Sequence, residues 1–234
     1  MGIESNSKSQ IDKNFKEIIK LLNNSNINYW LCHGTLLGII RDNELIPWDH
    51  DIDIAVWKQT GLKEKFKKMM KENDYQLKSK YLIDDDLLTF IKKGGREVDI
   101  NFYEKENSAD DPIAFVRWFV PKSFFMTLVE VISESKNYSG KGKWLINKLN
   151  FCAKLFKILR KKLIEKNKFY KQIGYTQPYK LLTEFKEVKF KDLSVRVPSL
   201  PEEYLQYVYG ENWKKPLKNY NWIKDSPSTK KIKW

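Results

Sequence analysis

Between Ile11 and Leu22, apolar residues recur three and four apart (Ile11, Phe15, Ile18, Ile19, Leu22), the spacing of one helix face. Ser9 with Asp12 offers a cap at its start, and Asn23, Asn24 and Ser25 stop it. Residues 28–33 then read as a strand that delivers a small-residue turn, Gly34-Thr35, and a short apolar helix ending near Arg41. After a Pro47-Trp48 corner, residues 51–56 alternate acid and aliphatic, the period of a strand. Residues 61–72 form a basic helix that sends Leu62, Phe66, Met69 and Met70 to the core. Strands are expected at 75–81 and 87–92, with Asp84, Asp85 and Asp86 between them as a solvated loop. Gly94-Gly95 makes a hairpin turn into a strand at 96–103, where Val98, Ile100 and Phe102 alternate with Glu97, Asp99 and Asn101.

The second half is read from coarser signals. Residues 113–132 are rich in aromatics, but Arg117, Pro121, Lys122 and Glu130 interrupt them, so a packed helix and loop is expected and not a membrane span. Leu145, Leu149, Cys152, Phe156, Leu159 and Leu163 step by fours and threes, as on an amphipathic helix. Residues 183–197 resemble a hairpin, and Tyr209-Gly210 a helix end.

The chemistry concentrates at one place. On the strand at 51–56, Asp51 and Asp53 share a face with Asp49 and Ala55, while Ile52, Ile54 and Val56 take the other. Carboxylates two residues apart stand roughly 7 Å apart along a strand and repel unless a cation lies between them. A hard divalent cation such as magnesium prefers such oxygens and keeps waters for phosphate. Pairing the 96–103 strand beside this one places Asp99 near the acids, with Glu97, of the same parity, as the alternative. The Gly34-Thr35 turn offers backbone N–H groups to a donor phosphate at a helix start. Arg41 reads either as a planar phosphate contact or as a cation at a helix C-terminus. Trp48 either stacks on a substrate or plugs the corner. By alternation His50 faces away from the acids and reads as packed.

Gly34-Thr35-Leu36-Leu37-Gly38, Arg41 and Ile46-Pro47-Trp48-Asp49-His50-Asp51-Ile52-Asp53 resemble the signature of the LicD family, which includes the fukutin-like proteins. The Pro198-Ser199-Leu200-Pro201, Tyr209-Gly210, Trp213 and Pro216 region resembles its C-terminal signature. The family pattern usually carries an aromatic where His33 stands and Asp where His50 stands. The resemblance implies an α/β nucleotidyltransferase-like fold: a short mixed sheet flanked by helices, in a single domain over 1–234, with 110–180 as a basic helical insertion. It also implies transfer of a phospho-alcohol (phosphocholine, or ribitol or glycerol phosphate) from a CDP-linked donor to a sugar hydroxyl of a cell-surface glycan or glycolipid, releasing CMP. On that reading Asp51, Asp53 and Asp99 are catalytic and hold Mg2+ or Mn2+, and Gly34, Thr35, Arg41, Trp48 and Asp49 contact substrate. Asp99 either completes the metal shell or takes the proton of the attacking hydroxyl. For a choline donor, Trp48, Tyr103, Trp213 and Trp222 are candidates for an aromatic cage.

Charge adds a partner. The 234 residues carry a formal net charge of +13. Residues 136–171 hold twelve Lys or Arg against one acid, Glu165, so most of the excess is local. Such a segment suits an anionic membrane surface or a phosphorylated glycan, and no motif for specific nucleic-acid binding accompanies it. The two cysteines, Cys32 and Cys152, sit in apolar contexts and lack zinc-site spacing. The polar start, without an apolar h-region, points to the cytoplasm, where nucleotide-activated donors are made. Two other classes remain open: a nucleotidyltransferase that releases pyrophosphate, and a non-catalytic basic protein binding membrane or polyanion.

Overall fold

The computed structural model describes residues 11–78, 86–106, 111–135, 138–166 and 168–230. Ser9, Asp84 and Asp85, named above, lie outside them. The Asp12 side chain caps α1 (Lys13–Asn23) by accepting from the backbone N–H groups of Asn14 and Phe15. Phe15, Ile18, Ile19 and Leu22 are buried on one face of this helix, as their spacing dictates. β1 (Tyr29–Leu31) runs into α2 (His33–Asp42), which ends on Asn43 in the left-handed conformation. β2 (Asp51–Trp57) follows, then α3 (Leu62–Glu72) with Phe66 and Met70 fully buried.

β3 (Gln76–Leu77), β4 (Leu87–Ile91) and β5 (Glu97–Glu106) complete the central sheet, in the order β1-β2-β5-β4-β3. Only β2 and β5 are parallel neighbours along this path. Ile52, Ile54, Val98, Ile100 and Phe102 are all fully buried, so both strands turn their aliphatic side to the core and their acids to the opposite side. The mixed sheet flanked by helices is the architecture expected from the sequence.

The expectation of a helix and loop over 113–132 is only half right. β6 (Ile113–Pro121) is a strand, and α4 (Phe124–Ser133) begins after it, capped by Ser123. β6 pairs with the distal end of β5 and, over its whole length, with β7 (Tyr170–Pro178). A continuous apolar run is ambiguous between helix and buried strand, and here nine ladder partners on β7 decide it. Between these strands the chain makes a helical lobe: α4, α5 (Lys143–Lys148), a 3-10 turn (Leu149–Cys152) and α6 (Ala153–Glu165). The expected single amphipathic helix is therefore broken. Its buried face is Phe156, Leu163 and Ile164 against Met126, Val129 and Tyr170, whereas Leu145 and Leu159 are exposed.

β8 (Phe185–Phe190) and β9 (Leu193–Pro198) form the expected hairpin. Phe190 meets Phe15 of α1 edge-on at 5.5 Å between ring centroids. α7 (Pro201–Tyr209) starts on proline and ends at Gly210, whose φ of 87° suits a residue without Cβ. Short helices α8 (Trp222–Asp225) and α9 (Pro227–Lys230) close the described chain. Asp86 is not part of a solvated loop. It is fully buried and bonded to Lys58 at 2.8 Å, with Arg117 at 3.6 Å.

Candidate active site

Parallel pairing of β2 with β5 sets Asp51 opposite Glu97 and Asp53 opposite Asp99. Paired residues on neighbouring strands point to the same face, so Asp99 projects beside Asp53. Asp49, Asp51, Asp53 and Asp99 all line one cavity of about 540 Å³. Among the described residues, the one close group of potential metal-ligating side chains is Asp49, Asp51 and Asp53, each half-buried, with one oxygen apiece within 4.8 Å of the others. The third member of this tight group is thus Asp49, from the turn before β2. Asp99 stands in the same cavity, its Oδ1 accepting from the Thr89 hydroxyl.

The electrostatics of the group are unfavourable by themselves. Burial first, then the hydrogen bond and charge of Asp51, push the Asp49 carboxyl up to about 7. Burial, then the charges of Asp51, Asp49 and Asp99, hold the Asp53 carboxyl well above the usual carboxylate range. Three crowded carboxylates, with the Asp51 charge raising the proton affinity of both Asp49 and Asp53, form a hard, anionic donor set. That set fits a divalent cation of the magnesium or manganese kind.

The turn expected to hold a donor phosphate instead holds one of the protein's own acids. Gly34 N donates to Asp53 Oδ2 at 2.9 Å, and Thr35 N reaches the same oxygen at 3.3 Å. Thr35 Oγ1 in turn accepts from Asp53 N at 2.8 Å. The partial positive charge at the start of α2 is therefore spent on Asp53, fixing its rotamer toward the cavity. Gly34 is required by close approach: a Cβ there would collide with Asp49 Oδ2. His33, with φ of 44°, opens the helix in a left-handed conformation. Its ring, half-buried at the cavity, packs against Tyr175 at 4.3 Å between centroids, with Nε2 3.3 Å from the Tyr103 hydroxyl. Burial lowers its pKa to about 3, so the ring is neutral near pH 7.

The other expected site residues divide. Arg41 lines the cavity, and its guanidinium is paired with Asp42 through two bonds of 2.9 and 2.7 Å. Arg96 is a second arginine nearby. It bonds the Ile46 carbonyl at 2.9 Å, and its charge opposes the upward shift of Asp49. Trp48 lines the cavity with the Lys218 ammonium 5.6 Å from its ring. Glu97 is engaged by Lys78 at 2.5 and 2.7 Å. His50 is exposed and not packed, and it contributes through its backbone, donating to Asp49 Oδ1 at 3.1 Å. Of the proposed cage, Trp48, Trp213 and Trp222 line the cavity. Tyr103 is fully buried beneath it.

Of the aromatic residues gathered at the cavity, sequence reasoning named Trp222 and missed Trp118, Tyr175, Tyr209 and Tyr220. Trp118 from β6, Tyr175 from β7 and Trp222 from α8 pack on one another at 4.9 to 6.0 Å, and Tyr209 and Tyr220 stand together at 5.0 Å. Lys215 and Lys218 add positive charge to the cavity lining, and Asn212 an amide. These residues come from three distant parts of the chain, 118, 175 and 209–222, so no local spacing announced their meeting.

A model of the LicD/FKTN/FKRP nucleotidyltransferase domain matches residues 26–154. The chain belongs to the LicD/FKTN/FKRP family. All four acids of the cavity fall inside the matched segment. Relatives of this LicD-family chain include "Ribitol-5-phosphate transferase FKTN" of Macaca fascicularis, 24% identical over 222 residues, and that of Mus musculus, 25% identical over 222 residues. Each alignment covers 92% of this chain and 36% of the relative, so the chain spans about a third of those proteins. "Uncharacterized protein RT0683" of Rickettsia typhi is 29% identical over 111 residues, 47% of this chain and 33% of the relative.

Proposed function

We propose that this protein transfers a phospho-alcohol from a CDP-linked donor to a sugar hydroxyl, with release of CMP. The observation that carries the reading is the cluster of Asp49, Asp51 and Asp53 in a cavity whose lining also includes aromatic residues and Lys215 and Lys218. Family membership and the activity for which the FKTN relatives are named support it.

Asp51 and Asp53, with Asp49, would hold a magnesium or manganese ion, which when bound supplies positive charge against the donor's pyrophosphate linkage. The chain's own groups do the rest. Lys215 and Lys218 attract the donor's phosphates into the cavity, and Arg41, anchored by Asp42, adds a fixed positive face. Trp48 offers a stacking surface to the cytosine base or the alcohol. Trp118, Tyr175 and Trp222 exclude water from the reacting end. Asp99, oriented by the Thr89 hydroxyl, takes the proton of the attacking sugar hydroxyl as that oxygen approaches phosphorus in line with the departing CMP. Positioning and charge neutralisation supply most of the acceleration in such transfers.

The test is CMP release from separate CDP-choline, CDP-ribitol and CDP-glycerol reactions with a mixed glycan acceptor, in magnesium and in chelator. CMP from one donor, abolished by chelator and by Asp51→Asn, is the expected result. Pyrophosphate release from labelled nucleoside triphosphates, without CMP from any CDP-alcohol, would replace this reading with nucleotidyl transfer. Full biological function retained by Asp51→Asn would mark a non-catalytic protein.

A further inference from the structure

The helical lobe between β6 and β7 turns large apolar side chains to solvent. Phe124 and Phe125 at the start of α4 are 66% and 65% exposed, and Phe151 in the 3-10 turn is 84% exposed. Trp144, Leu155 and Ile158 are 67%, 65% and 58% exposed. A helix on a globular surface needs one apolar face, yet α6 has two. Phe156, Leu163 and Ile164 face the lobe's own small core. Leu155, Ile158 and Leu159 extend from Phe151 at helical spacing and face outward. Lys154, Lys157 and Lys161, all exposed, recur at spacings of three and four along a third face, beside the outward apolar stripe.

We infer that this lobe seats on an anionic lipid bilayer, with α6 lying along the surface. Phe151, Leu155 and Ile158 enter the headgroup–acyl boundary, and Lys154, Lys157 and Lys161 meet lipid phosphates. Charge complementarity selects this occupant. A second copy of the chain would bring the same lysines against themselves, and like charges oppose such a face. A polyanion such as nucleic acid or a phosphorylated glycan would satisfy the lysines and leave the outward apolar stripe in water. A bilayer with acidic headgroups satisfies both faces, in the manner of interfacial amphipathic helices. Among the described residues, no helix is long and apolar enough to cross the membrane, so contact is with one leaflet. None of the named lobe residues lines the acidic cavity, so seating the lobe leaves that cavity uncovered by lipid-facing side chains.

The experiment is co-sedimentation of the full chain with large vesicles of phosphatidylcholine alone or with about one-third phosphatidylglycerol. The chain is expected to pellet with the acidic vesicles, with partitioning weakened at least tenfold as sodium chloride rises from about 50 to about 500 mM. The triple variant Phe151→Ser, Leu155→Ser, Ile158→Ser is expected to lose at least tenfold in partitioning. Its melting temperature should be unchanged, since the three side chains are already in water. Lys154→Glu, Lys157→Glu, Lys161→Glu is expected to lose the preference for acidic vesicles, and the Arg triple variant to keep it. The proposal is overturned if the wild-type chain stays in the supernatant. It is also overturned if the serine variant pellets as wild type does, which marks adsorption by charge alone. A dimer in light scattering that the serine variant dissolves would assign the face to a second copy and overturn it too.

Discussion

Replacing Asp49 by Asn tests the idea that the three carboxylates are held together against their own repulsion. The Asp49 carboxyl titrates near 7 in the folded protein and near 3.8 when free. Its folded value is raised, so the stability associated with its proton is fully present below pH 3.8 and is lost as pH rises through 7. A shift of about three pH units corresponds to about 4 kcal/mol at the upper limit. Asp49 is half-buried and its repulsion is shared with Asp51, so solvent screening brings the expected figure to about 2 kcal/mol. Asn keeps the size of the side chain and an acceptor for His50 N, and it removes the charge. The assay is urea unfolding of wild type and Asp49→Asn in chelator at half-unit steps from pH 4 to 8. Wild type should lose about 2 kcal/mol more than the variant across that range. His33, whose folded pKa is depressed, works in the opposite sense and destabilises as pH falls below 6.5. It is present in both proteins and cancels in the difference. Millimolar magnesium should then restore wild type at pH 8 and leave the variant nearly unmoved. Parallel pH profiles for the two proteins would refute the reasoning, because the acids would then not be repelling one another.

Gly34→Ala places a methyl group on Asp49 Oδ2, so we expect a loss of about 2 kcal/mol by thermal melting together with loss of magnesium stabilisation. Thr89→Val keeps shape and removes the hydroxyl that orients Asp99. CMP release should show kcat lowered about tenfold at unchanged KM, with a stability change of about 1 kcal/mol. Glu130→Ala removes the carboxylate that accepts from Nε of the buried Arg160 and should destabilise the lobe by about 2 kcal/mol by denaturant titration, a loss that Glu130→Leu with Arg160→Met largely recovers.

What the sequence disclosed follows from period and parity. The alternation from Asp51 to Val56 and from Glu97 to Phe102 is strict because each strand has one face in the core, and a strict alternation also tells which acids share the other face. α1 was legible for the same reason at helical period. β6 was not, since residues 113–116 are apolar or small without alternation, and β7 was not, since Lys171, Gln172 and Gln177 break any apolar period in a strand held mainly by its partner. The Gly34-Thr35 turn was recognised as a helix start with N–H groups to offer. Its partner, Asp53, lies 19 residues on from Gly34, and only the fold brings that carboxylate to it. Asp86 was misread because an acid run says nothing of Lys58, just past β2, and Arg117, on β6, which arrive to neutralise it. Trp118 and Tyr175 were invisible for the same reason: they meet Trp222 only after β6, β7 and α8 have folded.

The pairing of Asp53 with Asp99 across two parallel strands has a consequence for how such a protein can drift. Exchanging one side chain for another alters the chemistry locally and leaves the lattice of partners intact. Adding or deleting one residue within β2 would rotate everything beyond it by half a pleat. Ile52 and Ile54 would be delivered to the cavity, and carboxylates would be driven into oil. A change of length is therefore expected to be tolerated in the loops and in the excursion between β6 and β7, and not within the seven residues of β2.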